Sequence, residues 1–114
     1  MCGILGWISD QEIPVARHGG LGDALSLIKH RGPDANGQVI YCEGRLRHYD
    51  PDRHDSEPGL TKLVMGHTRL SILDLSSAGN QPLISPDGRF ALSFNGEIYN
   101  YIELKEMLLG KGHT

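Results

Sequence analysis

No apolar pattern in this chain runs much beyond about ten residues before glycine or proline interrupts it, which restricts the fold to short strands and short helices. Residues 2–9 are apolar and tolerant of β structure, with Gly3 and Gly6 among them. They read as a buried strand that other backbone approaches closely, with Cys2 at its end. Leu21, Ala24, Leu25, Leu27 and Ile28 follow helical spacing, and Arg31-Gly32-Pro33 should stop that helix. Residues 38–43 have strand character. Residues 44–59, GRLRHYDPDRHDSEPG, mix charge and proline with no apolar period and read as a solvated surface loop.

Order resumes over 63–72, where alternation sets Leu70 and Ile72 on one face and Arg69 and Ser71 on the other. A polar turn region extends through Asn80. Residues 81–84 and 89–94 are strand candidates on either side of Ser85-Pro86-Asp87-Gly88, a strong turn signal, and together predict a hairpin. Asn95-Gly96 marks a tight bend. Asn100 is then a candidate N-cap with Glu103 three residues on, and Gly110 or Gly112 a stop, so a second helix is expected. Strand, helix, strands, hairpin and helix in this order predict one α+β domain over 1–114, with helices covering a mostly antiparallel sheet. The final helix has no following strand to receive it and is expected to lack part of its packing surface.

Composition excludes several function classes. The net charge of −3 is close to balance, no Lys/Arg block occurs, and aromatic residues are few, so the footprint of a DNA or RNA binder is missing. No apolar run approaches the ~20 residues of a membrane span, and the start lacks the basic and apolar regions of a signal peptide. A cytoplasmic address is expected. His18, His30, His48, His54, His67 and His113 match no common zinc spacing, so no metal site is expected. Cys42 reads as a small apolar strand residue, and Trp7, Tyr99 and Tyr101 as packing residues. Arg31 and Asp34 read as pins of the turn after the first helix.

Cys2 stands directly behind the initiator methionine, and methionine is removed when the next side chain is as small as cysteine. A mature chain beginning at Cys2 would carry a thiol and a free α-amine on one residue. With an unperturbed pKa of about 7.7–8.0, that amine is partly unprotonated at neutral pH and could act as the thiol's own base. A thiol nucleophile also needs oxyanion donors and a group that fixes the substrate. Asn95-Gly96 can supply a side-chain amide and a backbone N–H at one bend, and Arg69 can pair with a carboxylate.

The stretches MCGILGW, HRGPDANG (30–37), GHTRLSILDLS (66–76), NQPL (80–83) and NGEIYNYIELKEMLLGKGH (95–113) together resemble the glutaminase domain of glutamine-hydrolysing asparagine synthetases. That domain is a class II glutamine amidotransferase of the N-terminal nucleophile hydrolase type. The resemblance implies layers of mostly antiparallel sheet covered by helices, of which this chain would be the N-terminal portion. It further implies that Cys2 attacks the glutamine side-chain amide and forms a thioester, with Asn95 and Gly96 as oxyanion hole and Arg69 holding the substrate carboxylate. Leu70, Ser71, Ile72 and Leu73 would line the pocket, and Glu97 would help hold the α-ammonium. No cofactor is expected for this domain. ATP and magnesium would serve a C-terminal synthetase domain, absent from these residues, that receives the ammonia. A homodimer is left open. By the same comparison, 44–59 is longer than the usual connection and reads as a surface insertion.

Two other readings remain. One keeps the thiol but takes His67 as base, in a Cys-His-Asn arrangement with Asn95. The other is a non-catalytic scaffold or interaction module that keeps the fold and hydrolyses nothing.

Overall fold

The computed structural model describes residues 1–15, 19–50, 59–72 and 75–113. Eight regular elements follow in order: β1 (Gly3–Pro14), α1 (Gly19–Leu27), β2 (Ala35–Cys42), β3 (Arg45–His48), β4 (Leu60–Arg69), β5 (Leu83–Ile84), β6 (Ala91–Leu92) and α2 (Tyr101–Gly110). The first four strands form an antiparallel sheet in the order β1-β4-β2-β3, and β5-β6 form a separate two-stranded one. The architecture is α+β, as the alternating patterns predict.

Register decides which side chains share a face. Gly3 pairs with Thr68, Leu5 with Gly66 and Trp7 with Val64, and Ile40 pairs with the same Val64 from the other side. This face meets α1. Val15, Leu21, Leu25, Ile40, Cys42 and Val64 are buried together there, with Leu5, Trp7, Ile28 and Tyr49 packed around them. Each such aliphatic side chain contributes roughly 1.5–3 kcal/mol by leaving water. Cys42 is a buried strand residue as expected, and the Arg47 guanidinium donates to its Sγ at 3.3 Å. The opposite face carries Ile4, Ile8, Val39, Tyr41, Met65, His67 and Arg69.

Several expectations change. β1 runs on to Pro14 rather than ending near Ser9, because its register with β4 shifts between Ile8 and Ile13 and lets the strand resume. Thr61 sits at that shift. It accepts from Leu63 N at 3.2 Å, and its hydroxyl lies within donating distance of Tyr41 O and Leu63 O at 2.6 and 2.8 Å. The stretch expected to be loop over 44–59 begins as a strand: β3 pairs with β2 across Glu43-Gly44, both at positive φ (54° and 81°). Two successive left-handed residues are what a tight hairpin turn requires, and glycine supplies one without strain. Residues 51–58 lie outside the described residues.

The hairpin around Ser85–Gly88 forms, although only two residues on each side keep ladder geometry. Its turn is held by Gly88 N donating to Ser85 O at 2.8 Å. The Ser85 hydroxyl donates to Asp87 at 2.6 Å and, with the Arg89 N–H, keeps that carboxyl below its usual pKa. In α2, Asn100 makes no side-chain cap bond, and the helix has no buried residue. Tyr99 and Tyr101, expected to pack, are 93% and 62% exposed, because nothing among the described residues covers that helix. Among the described residues, no helix is long and apolar enough to cross a membrane.

Candidate active site

The end of β4 and the start of β1 bring Cys2 to the Arg69–Leu70 peptide. Cys2 is half-buried, and its Sγ accepts from the Leu70 N–H at 3.4 Å with the Leu70 carbonyl at 4.0 Å. The main chain of Cys2 is fixed on two further sides. The Arg31 Nε donates to Cys2 O at 3.3 Å, and Gly3 N donates to the Thr68 hydroxyl at 3.1 Å. Thr68 in turn donates to Ile28 O at 3.4 Å, at the end of the first helical segment.

The turn after α1 is therefore a staple. Asp34 N donates to Arg69 O at 3.0 Å, and the Asp34 carboxylate accepts from Ser71 N at 2.7 Å. Arg31 and Asp34 thus reach Cys2 and the segment beside it from one short turn. The positions read from sequence as pins of a turn also position Cys2 and Leu70. What the sequence could not give was the partner, since the bonds span 29 and 37 residues.

Arg69 is 8% exposed. Its Nη1 donates to Ser76 O at 2.6 Å and Asn80 Oδ1 at 2.9 Å. It lines a cavity of about 500 Å³ together with Asp34, Ala35, Ser71, Leu75, Ser76, Ser77 and Asn80. A guanidinium held at the wall of a polar cavity is suited to a carboxylate. Ile72 is exposed at 74%, and Leu73 lies outside the described residues. Asn95, Gly96 and Glu97 are exposed and share no hydrogen bond with Cys2. The Phe94 ring lies over Gly96, where a Cβ would stand 2.6 Å from its Cζ. Among the described residues no group of three or more His, Cys, Asp or Glu gathers in a way that could hold a metal.

His67 is 1% exposed, and neither ring nitrogen makes a hydrogen bond of good geometry, so it neither pairs with Cys2 nor forms a Cys-His-Asn set. Burial pushes its pKa below the ordinary 6.5, the Arg69 charge lowers it further, and the nearby Phe94 backbone opposes both without completing a bond. An unfolded chain therefore takes up a proton at this histidine before the folded one does. Stability from this group is full above about pH 6.5 and falls as pH drops below it. Urea midpoints should decline as pH falls from about 6.5 to 5.5, and decline less in His67→Gln, whose amide does not titrate there.

The profile of the glutamine amidotransferase domain matches residues 1–114, the whole chain. The chain belongs to the glutamine amidotransferase domain family. Among curated relatives, asparagine synthetase [glutamine-hydrolyzing] 1 of Bacillus subtilis is 36% identical over 118 residues, covering 100% of this chain and 15% of the relative. The putative asparagine synthetase [glutamine-hydrolyzing] 2 of Methanocaldococcus jannaschii is 36% identical over 120 residues, covering 93% and 20%. The Zea mays asparagine synthetase [glutamine-hydrolyzing] is 34% identical over 108 residues, covering 95% and 15%. The chain thus spans about a fifth or less of the length of these relatives. No solved structure matches at a significant level.

Proposed function

We propose that this amidotransferase domain hydrolyses glutamine to glutamate and ammonia with Cys2 as nucleophile. The observation that carries the reading is the Cys2 sulfur held by the Leu70 N–H, a residue whose two chain neighbours, Arg69 and Ser71, both line the cavity. Once Met1 is removed, the Cys2 α-amine takes the thiol proton while sulfur attacks the side-chain amide carbon. The carbonyl oxygen becomes an oxyanion, for which Asn95 and Gly96 are the intended donors. The tetrahedral intermediate collapses to a glutamyl thioester as the amine passes its proton to departing ammonia. Water, deprotonated by the same amine, then attacks the thioester and releases glutamate and the thiol.

In this reading Arg69 takes the substrate carboxylate, 70–73 line the pocket and Glu97 meets the α-ammonium. The fold is of the N-terminal nucleophile hydrolase type. The ammonia passes to a synthetase part of a longer protein, as the names of the relatives suggest. In this reading that part uses ATP and magnesium and the protein is cytoplasmic. A glutamine-like electrophile should label Cys2 with one equivalent per chain, and Cys2→Ala should lose both labelling and glutamine hydrolysis. A well-folded protein that neither labels nor hydrolyses would instead be a scaffold.

A further inference from the structure

The His67 ring nitrogens and the Ser93 hydroxyl are the buried side-chain polar atoms left without a hydrogen bond among the described residues. Leaving such a group unpaired forfeits its hydration without a replacement bond, so three orphaned atoms in one small protein need a physical account. They fall in one region. His67 pairs in register with Ile4 on β1 and Gly37 on β2. Gly37 has no Cβ, and the Gln81 carbonyl occupies the space one would fill, with Pro82 Cδ 3.6 Å from that position. The Gln81 side chain then accepts from Phe94 N at 2.6 Å. The main chain after β6 is thereby held over the face of the sheet that carries His67, and the Phe94 backbone lies next to the imidazole.

A neutral imidazole offers one donor and one acceptor. A backbone carbonyl at Phe94 needs a donor, and the Ser93 hydroxyl can supply one. We propose that the His67 imidazole is a positioning residue that clamps the Ser93–Phe94 main chain onto β4 and so sets where the Asn95-Gly96 bend stands relative to Cys2. His67 touches neither sulfur nor substrate in this arrangement. It acts two residues upstream of the bend, through the main chain, and its orphaned atoms are satisfied when the segment seats. The inference rests on the proposed glutaminase reading, because it assigns the bend a job in the reaction.

The test is steady-state glutamine hydrolysis by the protein as it occurs in the cell, comparing His67→Phe, His67→Gln and Ser93→Ala with wild type. Misplacing an oxyanion donor by about an ångström costs on the order of a hundredfold. The expected result for His67→Phe is therefore a fall in kcat of about ten- to a hundredfold with KM within about twofold. His67→Gln, which keeps a donor and an acceptor, should recover most of the loss. Ser93→Ala should lower kcat by a smaller factor, and it serves as the deciding variant if His67→Phe does not fold. Alkylation of Cys2 by iodoacetamide, which develops no oxyanion, should proceed at the wild-type rate in every variant. A His67→Phe enzyme with undiminished kcat, or a Gln variant no better than Phe, overturns the proposal. Wild-type protein that does not hydrolyse glutamine in a Cys2-dependent way refutes the glutaminase reading first, and the inference falls with it.

Discussion

An uncleavable peptide fused ahead of Cys2 should lower kcat for glutamine hydrolysis by at least about a hundredfold while leaving the fold intact, the usual scale for removing a general base. Among the described residues the sulfur bonds to no side-chain base. Its polar neighbours are the Leu70 N–H and the Leu70 carbonyl, and neither ring nitrogen of His67 forms a bond. A liberated α-amine is the nearest group that can accept a proton and return it. Fusion converts it to an amide, which cannot. Met1 is 74% exposed, so an extension has room to leave the surface without disturbing β1. Glutaminase rates and circular dichroism of fused and cleaved protein make the check. Undiminished hydrolysis by the fused form would remove the amine from the mechanism.

Gly32→Ala should lower the unfolding free energy by about 1–3 kcal/mol, the usual cost of overpacking, and reduce glutamine hydrolysis as well. A Cβ at Gly32 would stand 2.6 Å from the Arg69 carbonyl carbon and nearer still to the Thr68 carbonyl. These are main-chain atoms of a strand paired on both sides, so they cannot swing aside as a flexible side chain would. The displacement would pass to Arg31 and Asp34, which hold Cys2 and Ser71. Gly22→Ala is the matched control. Nothing lies within 4 Å of its added Cβ in α1, so that change should be neutral or stabilising by up to about 1 kcal/mol. Paired chemical denaturation curves decide. Equal behaviour of the two variants would mean that the turn yields.

The elements legible from sequence were those whose apolar period matched their burial. Leu21, Leu25 and Ile28 face the sheet as their spacing indicates, and Ser85–Gly88 turns as its residue types require. β3 was hidden because arginines at 45 and 47 and a histidine at 48 leave Leu46 as its one apolar residue, and a short edge strand needs little more. Tyr99 and Tyr101 were misjudged because side-chain type reports a tendency to be buried, whereas burial needs a covering surface. Within the candidate site, the expectations for Cys2 and Arg69 rest on chemistry and position in the sequence. The enclosure of Arg69 was not legible there, since Ser76 and Asn80 return to it through a non-periodic turn. Thr68 gave no local signal, and His67 suggested only a base for the thiol, a pairing the structure does not form. Their roles come from strand register, which fixes their neighbours only once four strands are aligned.

The contacts that fix Cys2 reach 29, 65 and 68 residues along the chain, to Arg31, Thr68 and Leu70. None is local, so closure of loops of 29 to 68 residues accompanies these contacts. The thiol's surroundings therefore depend on long-range pairing, and a kinetic probe of sulfur protection should follow strand assembly rather than an early collapse.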